Sequence, residues 1–469
     1  MLKTNLLSMT KNTISLLILC TVTGCASYND NLSHQAHQQK VAHFITDSDI
    51  ASQLKGASEI NWWHQFNSPQ LNQLISDALT NNYDLKTSQL TLKSTLARLG
   101  AEKTQYLPQG GLTVKSERTS NDGTLSRNSA ASLGINWHLD LFGRISALVD
   151  AANASAMSQT EQQRLLQIEV VSSVISGYIR YQGYLQKHYI ISQQIGALQQ
   201  SINVLQASVD EGVASELDLN RTKAQLNQQQ TLVPEIAYLL QQERSALAFL
   251  TGKTLSDLSL IDERKLITFD LNVELAQPSN AIALRPDISK ALYQFSRENS
   301  LSVAATKALF PDISLTAFAG VLSPISTRLT NTHQQWQVLP EIEWSLLSYP
   351  ALLAKQEAQH YLSEAAYNEY QKTVLLAINE SELTLQQLLK EYSKRRFADN
   401  RYHFANKAYL QAQAMYQEGQ VPYLSLLDAR QEVLTAEENA LDSAISTLLT
   451  KVNAYHTFNG RWSYALASL

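Results

Sequence analysis

The 469-residue chain is long enough for two or three ordinary domains, yet only 17% of its residues are charged, against an average of about 25%. A net charge of −5 offers no basic face for nucleic acid. Gly and Pro, at 16 and 10 residues, are as scarce as a chain dominated by helix requires.

Residues 1–24 have the pattern of a targeting segment. Lys3 and Lys11 precede an apolar run from Ile14 to Val22, and Val22-Thr23-Gly24-Cys25 follows. The last four residues resemble a bacterial lipobox, in which Cys25 becomes the lipidated N-terminus. A plain secretory signal with an incidental cysteine is the alternative, and Met9 is an alternative start. The mature chain then keeps at most one cysteine, so no intrachain disulfide forms. Ala26 after Cys25 implies, by the same resemblance, delivery to the outer membrane. Residues 25–58 are polar and read as a flexible tether. His34, His37 and His43 lie there without the Cys or acidic residues that would complete a metal site.

Ser68 can cap a helix begun by Pro69 and ended near Leu107 by Pro108. The period then changes from helical to two over residues 110–120 and 130–141. Leu133, Ile135, Trp137 and Leu139 alternate there with Ser132, Gly134, Asn136 and His138. A polar turn, Asn121 to Thr124, lies between, so the pair reads as a β-hairpin apolar on one side only. A second such pair runs over about 311–346. Ile313, Leu315, Ala317 and Ala319 line one face, and Trp336, Val338, Pro340, Ile342 and Trp344 another.

These strands have two readings: an ordinary sheet over a core, or a membrane barrel built from strands of about 9–11 residues. No helix-length apolar run follows residue 24, and the flanking helices already face one another, which favours the barrel. Four strands cannot close, since the smallest membrane barrels need about eight, so several copies must share one barrel.

Helical hairpins follow each strand pair, over about 144–251 and 350–458. Their first arms run for some 65 residues, roughly 100 Å at 1.5 Å per residue. Ile191, Ile195, Leu198, Ile202, Leu205 and Val209 step by four and three, as coiled-coil seams do. Gly212 and Gly419 sit in the hairpin turns, where they supply the positive φ that ends an incoming helix. Pro422 is expected in the first turn of the outgoing helix. Leu219, Leu226, Val233, Leu240 and Leu247 recur at sevens after the first turn, and Leu427, Leu434, Leu441, Leu448 and Tyr455 after the second. The offsets agree: 427 − 219, 434 − 226 and 460 − 252 are all 208, and 419 − 212 is 207. An internal duplication is expected, with repeats over 59–270 and 271–469. Residues 252–284 carry the crossover between them.

Several stretches resemble the TolC/OprM-type outer-membrane efflux family over about Asn61 to Trp462. They are Trp62-Trp63 with Phe66 and Pro69; Asn136-Trp137-His-Leu-Asp140-Leu-Phe142-Gly143-Arg144; Arg285-Pro286-Asp287-Ile288; Phe310-Pro311 to Leu315 with Gly320; and Leu426-Leu427-Asp428-Ala429 with Asn459-Gly460. Their order and spacing carry the likeness together. Two stretches depart from the pattern. Trp344 to Pro350 replaces a Pro-Ile-Phe-Asp-Gly-Gly-like corner, and Ala291-Leu292 stands where the family usually has Ala-Glu.

The resemblance implies a mainly α chain with membrane β: a homotrimeric barrel of 3 × 4 = 12 strands, continued by a periplasmic α-helical barrel. It implies an exit duct working with a periplasmic adaptor and an inner-membrane transporter, with no cofactor. Aligned through Gly212 and Gly419, Asp218, Tyr416 and Asp428 match family positions that tie helices together at the periplasmic mouth. Ser425 stands where relatives carry a second aspartate and Val421 where some carry arginine. Helix capping by Asp218 and Asp428 is the simpler alternative. Three functions compete: a duct for a tripartite efflux pump, a duct for type I protein secretion, and a lipid-anchored coiled-coil spacer. The period-two strands disfavour the spacer. An enzyme is disfavoured because no P-loop, Gly-x-Ser-x-Gly or His-Glu-x-x-His is present.

Overall fold

A computed structural model describes residues 62–121, 124–260, 285–324 and 333–458, all within one compact unit spanning Asp49–Leu469. Cys25, the tether, and most of the 252–284 crossover lie outside the described residues.

The helices come first as α1 (Pro69–Asn81) and α2 (Tyr83–Lys103), after a 3-10 turn at Trp62–Phe66. Ser68 caps α1, its hydroxyl accepting from the Leu71 amide at 3.2 Å, and Pro69 opens the helix as expected. The single helix expected to reach Leu107 is instead broken at Asn82. That residue holds extended backbone (φ −57°, ψ 128°) while its side chain accepts from the Asp84 and Leu85 amides. Its carboxamide also donates to the Leu250 carbonyl at 3.0 Å, so the break docks on the end of a later helix.

Strands β1 (Gln109–Asn121) and β2 (Thr124–His138) follow; β2 starts six residues before the expected 130. Next come α3 (Arg144–Asp210), α4 (Glu216–Leu250) and α5 (Pro286–Lys307). Then β3 (Asp312–Pro324) and β4 (His333–Glu343) lead into α6 (Tyr349–Gln417) and α7 (Tyr423–Phe458). Pro422 lies just before α7 rather than in its first turn. The corner from Trp344 to Pro350 resolves as a 3-10 turn, Leu346–Ser348, with Pro350 in the opening turn of α6. At the matching corner before α3, Asp140 accepts from the Ile145 and Ser146 amides at 2.9 and 2.7 Å, and Gly143 takes φ +80°.

The four strands form one antiparallel sheet in the order β1-β2-β3-β4. With Phe318, Leu322 and Leu339 left on the other, its register gathers most of the apolar residues of the four strands on one face. The rows are Leu112–Leu133–Ala319–Trp336, Gly110–Ile135–Ala317–Val338, Trp137–Leu315–Pro340 and Ile313–Ile342. The opposite rows are mostly polar: Thr113–Ser132–Gly320–Gln335 and His138–Ser314–Glu341, with Asp312 beside Glu343. A one-residue slip between any two strands would mix these faces. Two tryptophans fasten the sheet to the helices in equivalent ways. The Trp137 indole donates to the Tyr106 carbonyl at 2.9 Å, and that of Trp344 to the Leu309 carbonyl at 3.1 Å. Each acceptor lies two residues before the proline that precedes β1 or β3.

Helices pack in the sequence the strands dictate. On the sheet side of the molecule α2 packs on α3, α3 on α5, and α5 on α6. Towards the hairpin turns α4 replaces α2 beside α3, and α7 replaces α5 between α3 and α6. The main core lies where these two levels meet. Trp62 stacks on Tyr455 at 4.2 Å, with Leu71, Ile75, Val174, Tyr178 and Leu247 buried around them. Leu427, Leu434, Leu441, Leu448 and Tyr455, the residues at sevens, are all buried in α7.

Candidate functional site

The two hairpin turns are built alike. At the first, the Gly212 amide donates to Val209 at 2.9 Å and the Val213 amide to Ser208 at 2.9 Å. At the second, Gly419 donates to Tyr416 at 3.0 Å and Gln420 to Met415 at 2.8 Å. Both are Schellman closures, and both glycines hold the positive φ these need, +78° and +72°.

Ser215 caps α4, its hydroxyl accepting from the Leu217 amide at 3.0 Å, and Asp218 lies in the first turn, where a carboxylate is favoured by the helix dipole. Asp218 is half-buried there. Its charge falls on Tyr416, whose ring meets Tyr423 edge-on at 5.4 Å. Burial first, then Tyr423 and Asp218, push the Tyr416 hydroxyl above its ordinary pKa. Three of the elements at the turns thus converge on Tyr416: the start of α4, the end of α6 and the start of α7. Ser425 and Asp428 are exposed on α7; Asp428 sits beyond the first turn, where a capping carboxylate has no free amide.

The structure adds residues that spacing alone missed. Thr222 gives its hydroxyl proton to the Asp218 carbonyl at 2.8 Å, so Tyr423 must be the donor in their 3.2 Å contact. Further from the turns, Gln225 donates to Gln431, and Arg430 to Ser201 at 2.7 Å. Gln194 donates to Glu437 at 3.4 Å, and Lys187 to Asp442 at 3.0 Å. These five contacts form a polar ladder joining the first hairpin to the second. Polar pairs also join the arms within each hairpin, Arg180 donating to Glu243 at 2.7 Å and Arg401 to Glu432 at 2.8 Å. A signal for one rung was present: Thr222 is polar yet falls with Gln229, Ile236 and Glu243 at multiples of seven, and all four are buried. Burial holds the Glu437 and Glu438 carboxyls above the usual carboxylate range.

At the other end, apolar side chains of the sheet stand open, with Trp336 at 79% and Ile342 at 70% exposure. Among the described residues no helix is long and apolar enough to cross a membrane. Nor does any group of three or more His, Cys, Asp or Glu among them suit a metal ion.

Comparison with known proteins agrees with this geometry. The toluene efflux pump outer membrane protein TtgC of Pseudomonas putida is 28% identical over 477 residues, covering 97% of this chain and 96% of its own. The cation efflux system protein CusC of Escherichia coli is 24% identical, covering 95% and 97%. Among solved structures, the outer-membrane channel OprN superposes with a TM-score of 0.83 at 25% identity, covering 88% of this chain and 96% of that one. The model of the outer membrane efflux protein family matches residues 74–253 and 277–453, and with well over half the chain matched, the protein belongs to that family.

Proposed function

We propose that the protein is the outer-membrane exit duct of a tripartite efflux pump, passing small molecules from the periplasm to the outside. The observation that carries this is the single apolar face running across all four strands. From Ile313 to Val321 that face spans eight residue steps, about 27 Å along the strand at ~3.4 Å per residue. Tilted by roughly 40°, it covers most of an apolar membrane band about 25 Å tall.

The sheet leaves β1 and β4 as open edges. An 11-residue edge strand turns alternate amide and carbonyl groups outward. At several kcal/mol each in hydrocarbon, the total is on the order of tens of kcal/mol, so a lone chain is excluded from lipid. Three chains placing four strands each give 3 × 4 = 12 and close the barrel, with the helices continuing it as a tunnel. The recurrence of hairpin, long helix and shorter helix supports an internal duplication. The cluster around Asp218 and Tyr416 serves as the closure at the periplasmic mouth, and Asp428 lines that mouth.

A periplasmic adaptor and an energised inner-membrane transporter complete the pump. Substrate choice is left to those partners, consistent with relatives named for cargoes as unlike as toluene and cations. Planar bilayers test the reading. Purified protein should insert as discrete conductance steps; stable membrane binding without any steps would overturn it.

A further inference from the structure

Where the strands hand over to the long helices, a cavity of about 400 Å³ opens on the polar side of the sheet. Part of its lining comes from the polar rows: Asn136 and His138 of β2, and Asp312 of β3. Those three side chains satisfy one another. The Asn136 carboxamide donates to His138 Nε2 at 3.2 Å, and His138 Nδ1 donates to Asp312 at 3.1 Å. Asp140, also at the cavity, is taken up by the Ile145 and Ser146 amides. Both carboxylates therefore have partners. The two cations at the cavity, Arg144 and Lys307, form no ion pair among the described residues. Another part of the lining is aromatic. Phe142 stacks on Phe310 at 5.1 Å with the rings 13° apart, and the Lys307 ammonium stands 5.9 Å from the centre of the Phe310 ring.

We propose that this cavity binds a ring-bearing organic anion, its flat apolar body against Phe142 and Phe310 and its sulfonate or carboxylate head held by Arg144 and Lys307. The volume admits such a ligand, since small-molecule pockets run from about 300 to 1,000 Å³. Charge decides the class. A cationic ligand would meet two unneutralised cations and only carboxylates that are already engaged. A neutral ligand would leave both cations without a partner. An anion gains a charge-assisted bond from each, and the guanidinium offers a fork that matches two acid oxygens. The donors on the sheet are spent on one another, so the head has no better seat elsewhere in the cavity. The place of the site in the molecule rests on the duct proposed above. With the polar side of the sheet facing the bore, three such cavities ring the passage where the barrel meets the helical tunnel. An anion held there narrows that passage. Binding itself needs only the residues of one chain.

Calorimetric titration of the full-length protein in a neutral detergent tests the site, with naphthalenesulfonate as the probe. Saturable binding of one probe per chain is expected. Naphthalenemethanol and naphthylmethylammonium, of the same ring but neutral and cationic, should each bind at least roughly tenfold more weakly. Arg144→Gln and Lys307→Gln should each weaken the anion roughly tenfold, and Arg144→Lys by less. Lys103→Gln, exposed and outside the cavity, should change nothing. The comparison of probes uses the unaltered protein, so it stands even where a variant fails to fold. Equal affinity for anion and alcohol, or an equal loss from Lys103→Gln, would overturn the site. In planar bilayers naphthalenesulfonate should reversibly lower the single-channel current, and Arg144→Gln should need roughly tenfold more of it. Conductance steps without saturable binding would overturn the site and leave the duct standing. Binding without conductance steps would overturn the duct and leave the site. Binding together with steps that the anion does not alter would overturn its place in the bore.

Discussion

Single side chains show where this fold tolerates cost. Glu437 sits half-buried in the polar ladder, and burial raises its carboxyl above the reference value of 4.5, against the smaller opposing effect of the Gln194 bond. A raised carboxyl means the folded chain holds the proton more tightly than the unfolded chain does. Its contribution is therefore fully present below about pH 4.5 and is lost as pH rises through the folded value. At neutral pH the ionised group is a net cost. Glu437→Gln should raise the unfolding temperature at neutral pH, and the gain should shrink to nothing as pH falls below 4.5. A gain of equal size at both ends of that range would assign the effect to packing rather than to charge. Arg285 shows the opposite arrangement. It is buried, but two carboxylates meet it, Asp287 at 2.9 Å and Glu380 at 2.6 Å, and its pKa stays above the ordinary value despite desolvation.

At the scale of elements, the turns rest on backbone geometry rather than on contacts. No atom lies within 4 Å of a Cβ added at Gly212 or Gly419, so space does not restrict either position. Only the positive φ does, at about 1–2 kcal/mol for an ordinary residue. Gly419→Ala should destabilise by roughly that amount and Gly419→Asn by less, because Asn enters the left-handed region more readily. Thermal unfolding followed by circular dichroism would rank the two, and equal losses would remove φ as the cause. These turns, the hairpin seams and the strand faces were legible in the sequence because each has a strict local period. The break at Asn82 was not, since its purpose is tertiary: the Asn side chain caps α2 while reaching Leu250, 168 residues away. At the mouth, family likeness singled out Asp218 and Tyr416. It gave no sign of Tyr423 and Thr222, which complete the cluster through contacts between hairpins distant in sequence. Periodicity marks a residue as buried or exposed, and only the packed structure says against what.

For the whole molecule, the polar contacts nearest the turns bear on how the proposed mouth opens. Separating an apolar seam exposes area at ~25 cal/mol per Å², and each hairpin arm carries many such residues. A polar rung exchanges its partner for water, at a net loss of about 0.5–1.5 kcal/mol. Away from the turns α3 and α7 share the apolar core of Val174, Tyr178, Leu448 and Tyr455, so the rung nearest the turns is the one proposed to set the aperture. That rung is Tyr423 to Thr222, backed by Asp218 and Tyr416. In the proposed trimer its loss is multiplied by three, on the order of 1.5–4.5 kcal/mol in all, enough to move a mostly closed population toward open. Tyr423→Phe with Thr222→Val should raise single-channel conductance in planar bilayers, and Tyr416→Phe with Asp218→Ala should do the same. Asp428 is exposed, so Asp428→Asn should weaken preference for cations while leaving conductance near its original level. Unaltered conductance in both double variants would leave the cluster as packing at a turn. Unaltered selectivity in the third would place Asp428 outside the path of the ions.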